Sequence, residues 1–249
     1  MIVFGDSLSD DGVEAEGDSH GFLRNCNGKV WPEYVAGMLE CDRYINYAYS
    51  GAKSGVGNFY FESFSGLRWQ IDQFFTSNKF ISDDPLIILQ TGGIVDFFGG
   101  ESNVTEVIEN IQQSIENVTQ TLNSGTLVIL SLLDVSSSPG VQAAEDSTIL
   151  QERLGSVIAE TNRKLRHIVL DSDLGARRMN PFLRVKLIDI NSIALAAMQS
   201  LNTSEPFTHH SPNVLPQSVY RYAYHDLWNP STIVHYHIAK EIVRDLQQF

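Results

Sequence analysis

The sequence predicts one α/β domain over residues 1–249, a three-layer α/β/α sandwich around a central, mostly parallel sheet. Three observations point there. Short apolar runs alternate with longer amphipathic ones along the chain, as strands joined by crossover helices do. No internal repeat, low-complexity tract or Pro/Gly/Ser-rich linker divides it. Its 249 residues are an ordinary length for one such domain with a sizeable core.

Taken in order, residues 2–4 form a short strand that ends at Gly5. Residues 29–40 read as a helix, because Trp31, Tyr34, Val35, Met38 and Leu39 recur at i, i+3, i+4, i+7 and i+8. Residues 44–48 are a second strand, 67–78 a helix and 86–90 a buried strand. A long helix with a polar face follows over 103–123, and 126–133 is the clearest strand in the chain. The remaining pieces are a helix over 149–168, a strand over 184–190, a helix over 193–201 and a closing helix over 230–248. Right-handed crossovers make such strands parallel, and ligands of such sheets bind beyond the strands' carboxyl ends.

The net charge of −13 disfavours a nucleic-acid surface, which needs clustered Lys and Arg, and disfavours anionic membranes equally. No apolar run approaches the roughly 20 residues of a membrane-spanning helix, so no membrane span is expected. Cys26 and Cys41 are either one disulfide or two small core thiols, and two Cys alone hold no zinc. Sequons at Asn103, Asn117 and Asn202 suit a secreted protein, or arise by chance in a chain rich in Asn and Ser. Met1 runs directly into an apolar segment, which suits an intracellular chain or one whose signal has been removed.

The chemistry concentrates in four places. Phe4-Gly5-Asp6-Ser7-Leu8-Ser9-Asp10 is a strand, a turn opened by Gly5, and a hydroxyl held at the strand's exit. A serine there can be both nucleophile and, through its own N–H, oxyanion donor, with Asp6 beside it; Asp-Ser is also ordinary turn chemistry. Asn46-Tyr47-Ala48-Tyr49-Ser50-Gly51-Ala52 runs out of the second strand, Gly92-Gly93-Ile94-Val95-Asp96 follows the third, and Asp226-Leu227-Trp228-Asn229-Pro230 leads into the last helix.

In this order, and with the stretch Asn27–Tyr34, these blocks resemble the SGNH (GDSL) hydrolases, particularly the branch related to lecithinases and to fungal or plant GDSL proteins. The resemblance implies a flavodoxin-like sandwich, Ser7 as nucleophile, and Gly51 as an N–H donor to the oxyanion hole. Two positions depart from the family pattern. Where the family reads Gly-x-Asn-Asp, Val95 occupies the Asn place and brings no donor. Where it reads Asp-x-x-His-Pro, Asn229 replaces the general base that Asp226 would orient. Asn229 before Pro230 suits an N-cap with Pro at the first helical position.

Seven histidines are available to stand in: His20, His167, His209, His210, His225, His235 and His237. His235 falls on the apolar stripe of the last helix and reads as a hydrogen-bonded core residue, while His237 falls beside it. His225 adjoins Asp226. His209 and His210 lie in the preceding loop, where substrate-lining residues belong, and lack the acidic or thiol neighbours of a metal site. Asp226, deprived of imidazole, is paired with His225, bonded to Asn229, or kept as an acid with a raised pKa. Tyr220, Tyr222, Tyr224 and Trp228 either line a cleft or pack an extended segment.

Three functions remain open from the sequence. One is a non-hydrolytic conversion (elimination, cyclisation or isomerisation) of a small apolar molecule by Ser7, Asp226, His225 and the Asn229 amide. The others are a binding-only protein that presents the cleft to a lipid, glycan or protein, and an ester hydrolase with an unusual base. None calls for a cofactor or metal; the expected partner is a small, mostly apolar substrate or ligand, with Gly51, Val95, Asp6 and Trp228 as the oxyanion and substrate-binding positions.

Overall fold

A computed structural model of the chain describes residues 1–12, 18–77, 83–90, 93–98, 100, 102–209 and 216–248, with backbone only at 93 and 216–218. Six strands, β1 (Ile2–Phe4), β2 (Asp18–Ser19), β3 (Ile45–Asn46), β4 (Leu86–Gln90), β5 (Gly125–Leu130) and β6 (Leu183–Ile188), form one sheet in the order β2-β3-β1-β4-β5-β6. All five pairings are parallel, with Ile2 opposite both Ile45 and Ile87 and Leu86 opposite Thr126. Such strands are covered on both faces, which is why β4 and β5 are near-continuous apolar runs. Without the two-residue edge strand β2, the order is the doubly wound, flavodoxin-like one. Its winding reverses between β1 and β4, and the turn carrying Ser7 leaves the sheet at that reversal.

Helices α1 (Trp31–Met38), α7 (Ile190–Met198) and α8 (Thr232–Gln247) pack against one another on one side of the sheet. On the other lie α2 (Leu67–Ser77), α4 (Val104–Thr121) and α6 (Ser147–Met179). In α4, Val104, Val107, Ile108, Ile111, Ile115 and Val118 make the buried stripe, and Asn103 Oδ1 caps its start by accepting from Thr105 N–H at 3.1 Å. In α8, His235 is buried as expected, its Nδ1 accepting from Trp31 N–H at 3.2 Å. Burial holds that imidazole's pKa down to about 3, so it is neutral.

Several boundaries differ from the sequence expectation. Helix α6 continues to Met179, because Leu165, Val169 and Ala176 extend its buried stripe while exposed Leu170 and Leu174 blur the pattern. Helix α7 starts at Ile190, since Asp189 caps it through Ser192 N–H at 3.3 Å. Helix α8 starts at Thr232 with Ser231 as N-cap, so Asn229 is not the cap. Pro230 is instead bridged to Tyr224, and the Asn229 amide is engaged by Asp226. Strand β2 and the short helices α3 (Gly93–Phe98) and α5 (Pro139–Gln142) are too brief to show a period in the sequence. Cys26 and Cys41 are free thiols. No helix of the described residues is long and apolar enough to cross a membrane.

Candidate active site

Past β1 the chain closes at once into a helical turn, with the Ser9 and Asp10 N–H groups both donating to Asp6 O at 3.0 Å. Two buried glutamines hold that turn. Gln90, at the end of β4, accepts Asp6 N–H at 3.0 Å and donates to Asp6 Oδ2 at 3.3 Å. Gln70 of α2 accepts Gly5 N–H at 2.9 Å and donates to Gly5 O at 2.8 Å. Gly5 is required because a Cβ there would lie 2.8 Å from Gln90 Oε1. Asp6 also accepts Leu8 N–H at 2.9 Å, and burial pushes its carboxyl up to about 7 against the pull of those hydrogen bonds. Ser7 is thereby fixed at the mouth of the turn. Among the described residues, neither its hydroxyl nor its N–H has a hydrogen-bond partner.

The loop after β3 brings in Gly51 at a φ of 84°, where a Cβ would meet Asn58 Oδ1 at 2.8 Å. Asn58 organises this loop, donating to Ser50 O at 2.9 Å and Ser65 Oγ at 3.0 Å and accepting Tyr60 N–H at 3.0 Å. The Gly51 N–H has no acceptor among the described residues. Two backbone donors, of Ser7 and Gly51, are therefore free beside one hydroxyl. The third block enters on α3, where Asp96 accepts Ser54 N–H at 2.8 Å and Ser54 Oγ–H at 3.0 Å. This carboxyl locks α3 to the Gly51 loop, and burial raises it to about 6. Gly92 lies outside the described residues.

Asp226 is not short of partners. Its Oδ1 accepts Trp228 N–H at 2.8 Å and Asn229 N–H at 2.7 Å, and Asn229 Nδ2 donates to Oδ1 at 3.1 Å and Oδ2 at 2.9 Å. An amide thus sits against the carboxylate. With Nδ2 engaged, Oδ1 has no partner among the described residues. Trp228 packs edge-on to Phe98 at 4.8 Å and covers Gly140, where a Cβ would collide with its indole.

These pieces meet in a cleft of about 490 Å³ lined by Asp6, Ser7, Gly51, Val95, Trp228 and Asn229, with Leu8, Ile94, Phe98, Leu133, Val135 and Pro230 as apolar walls. Asn25, Ser50, Phe59 and Tyr60 complete it. No lysine, arginine or histidine is among these lining residues. His225 is thus not gathered in with Ser7; its N–H donates to Asn229 O at 2.8 Å, its ring lies along Phe207, and burial lowers its pKa. Tyr222 and Tyr224 pack inward and Tyr220 is exposed, so of that aromatic group only Trp228 lines the cleft. His209 bonds Thr208, and His210 lies outside the described residues. No group of His, Cys, Asp and Glu able to hold a metal occurs among the described residues. The sequence reading missed Phe59 and Tyr60; the only signal was the unbroken aromatic run Phe59-Tyr60-Phe61, which has no helical or strand period.

The fold and this geometry define a class: a doubly wound sandwich with a serine turn and a glycine loop at the winding reversal. Comparison with known proteins places the chain within it. Residues 1–242 match the GDSL-like Lipase/Acylhydrolase family, and the chain belongs to that family. No curated protein sequence matches it. Among solved structures, it is similar to a lipolytic protein of the G-D-S-L family from Veillonella parvula at 17% identity, over 100% of this chain and 98% of that one, with a TM-score of 0.61. A putative GDSL-like lipase from Parabacteroides merdae gives 14% identity over 98% and 94% of the two chains, also with a TM-score of 0.61. A carbohydrate acetylesterase from Sinorhizobium meliloti gives 11% identity over 99% and 97%, with a TM-score of 0.58.

Proposed function

We propose that the cleft receives an acyl ester as the family's hydrolases do, and that hydrolysis is slowed at proton transfer because an amide stands in the place of the base. The observation that carries this is Asn229, which lines the same cleft as Ser7 while its amide is clamped at 2.9 and 3.1 Å to Asp226, a carboxylate that is not itself among the lining residues. The free N–H groups of Ser7 and Gly51 suit the oxygen of an ester carbonyl, whose carbon would then face the Ser7 hydroxyl. To attack, that hydroxyl must lose its proton, and an amide oxygen takes no proton near neutral pH. Loss of the imidazole from a Ser–His–Asp system costs about 10⁶ in turnover. A missing oxyanion donor, as at Val95, costs about 10²–10³ more. The ester-acting names of the solved neighbours, the carbohydrate acetylesterase among them, support the substrate class.

Catalytic groups that act as a unit lose their effect together, so without its base Ser7 contributes little to the remaining rate. A panel of short- and long-chain esters and acetylated sugars tests this. Slow hydrolysis that changes less than about tenfold in Ser7→Ala is expected, with the variant still binding the ester. Fast turnover abolished by Ser7→Ala would show that another group serves as base.

A second reading, non-hydrolytic conversion, rests on Asp6. It is the one carboxyl among the described lining residues, and at about 7 it can take and return a proton near neutrality, as elimination or isomerisation requires. Mass spectrometry of incubated source extract distinguishes the two: dehydrated or isomeric products lost in Asp6→Asn favour conversion, and retained unchanged ligand favours binding.

A further inference from the structure

Four partly exposed aromatic rings form a continuous chain at the cleft mouth: Phe22 (41% exposed), Phe61 (49%), Tyr60 (75%) and Phe59 (52%). Their centroids are 6.3 Å apart from Phe22 to Phe61, 6.5 Å from Phe61 to Tyr60 and 5.2 Å from Tyr60 to Phe59. Phe59 and Tyr60 belong to the cleft lining, so the chain of rings leads from solvent to the site. At 150–250 Å² per fully buried ring, these exposures amount to on the order of 400 Å² of aromatic surface, the size of patch that marks an interaction site on a soluble protein.

The rings are held rigidly. Asn58 ties the loop to Ser50 and Ser65, Phe59 N–H donates to Gly51 O at 2.8 Å, and Phe64, Tyr49 and Trp69 pack beneath. A rigid loop gains nothing for folding by holding such rings in water, and their exposure disfavours solubility.

The chemistry of the surroundings selects the occupant. The cleft lining holds no cation, and the chain carries a net charge of −13, so surfaces of net negative charge are repelled. Sugar platforms pair their rings with free hydrogen-bonding side chains. Beside these rings, Asn25 Nδ2 is spent on Ser50 Oγ at 2.8 Å and Ser50 Oγ on Leu23 O at 3.0 Å, and the free Ser7 hydroxyl and Asn229 Oδ1 belong to the reaction site in the cleft. What remains at the rings is apolar apart from the Tyr60 hydroxyl, and exposed Glu62, next to Phe61 in the chain, adds only negative charge. We infer that the Phe22–Phe61–Tyr60–Phe59 chain docks the protein on an uncharged lipid surface, from which an amphiphilic ester enters the cleft. The docking rests on this geometry alone; the entry of an ester rests on the function proposed above.

The test is co-flotation of the whole chain with phosphatidylcholine vesicles, alongside vesicles containing phosphatidylglycerol. Binding to the zwitterionic vesicles is expected, weakened several-fold by phosphatidylglycerol at low salt and recovered as salt screens the repulsion. Phe59→Ser and Tyr60→Ser should each lower partitioning by about tenfold, with the thermal midpoint unchanged since both rings are exposed. Ser7→Ala should float like the parent, so a wrong ester assignment leaves vesicle binding intact while a wrong docking assignment abolishes it. Failure of the parent chain to float with phosphatidylcholine overturns the inference. So does a dimer that the same serine variants disperse in light scattering, which would make the patch a self-interface. Affinity for oligosaccharides lost in those variants would make it a sugar platform instead.

Discussion

Asn229→His is the sharpest perturbation the site offers. The Asn229 side chain reaches Asp226 through Nδ2 at 2.9 and 3.1 Å, and its backbone is held independently, N–H on Asp226 Oδ1 at 2.7 Å and O on His225 N–H at 2.8 Å. Histidine branches at the same atom. Its Nδ1–H can replace Nδ2–H on the carboxylate while Nε2, roughly 2 Å farther along the ring, projects beyond where the amide ends. The chain geometry that orients an imidazole is therefore already in place. A fully effective base is worth about 10⁶, or about 8 kcal/mol of barrier. Misplacement by about 1 Å forfeits about 10², which leaves an expected gain of about 10⁴ in kcat/KM. The assay is hydrolysis of a short-chain chromogenic ester between pH 5 and 9. Activity should rise with an apparent pKa near the ordinary histidine value of about 6.5 and vanish when Ser7→Ala is added. Val95→Asn in the same background should add about 10². A folded Asn229→His protein gaining less than tenfold would refute the idea that residue 229 is the base position.

Other outcomes follow from the same contacts. Asp226→Ala removes an acceptor of two backbone N–H groups and one side-chain amide, and should cost about 2–3 kcal/mol in urea denaturation while loosening the loop ahead of α8. Gly51→Ala forces a side chain onto a φ of 84° and to 2.8 Å from Asn58 Oδ1; a loss of about 1–3 kcal/mol and of ester binding is expected, read by denaturation and calorimetry. His235 is held neutral down to about 3, below its ordinary 6.5, so the stability it supplies is complete above pH 6.5 and is lost as pH falls toward 3. Asp6, raised to about 7, acts with the opposite sign: its contribution is complete below its ordinary value and is lost as pH rises through 7. Thermal midpoints against pH should therefore lose their acid-side slope in His235→Asn and their slope between pH 4 and 7 in Asp6→Asn.

How much of this was legible beforehand depends on how local the cause is. Strands β4 and β5 and the stripe of α4 announce themselves because burial imposes a period on adjacent residues. The same holds for His235, whose place on the α8 stripe predicted its burial and its hydrogen bond. Ser7, Gly51, Val95 and Asn229 were legible as motif positions. The end of α6 and the start of α8 were not, since exposed Leu170 and Leu174 broke one period and the Tyr224–Pro230 bridge overrode the Pro signal at the other.

By itself, then, the sequence determined the layered α/β architecture, the serine turn after β1, and the absence of imidazole at residue 229, because each is written in a short run of neighbours. Only the tertiary structure decided that Asp226 is satisfied by the Asn229 amide, that His225 stays outside the cleft, and that Phe59 and Tyr60 stand at its mouth. Those facts depend on which loops the parallel crossovers carry to the sheet's carboxyl edge. Hydrogen bonds from Gln70 and Gln90, tens of residues away, hold the Gly5–Asp6 turn, and those of Asn58 hold the loop that carries Phe59 and Tyr60. Such distant partners leave no periodic trace in the chain.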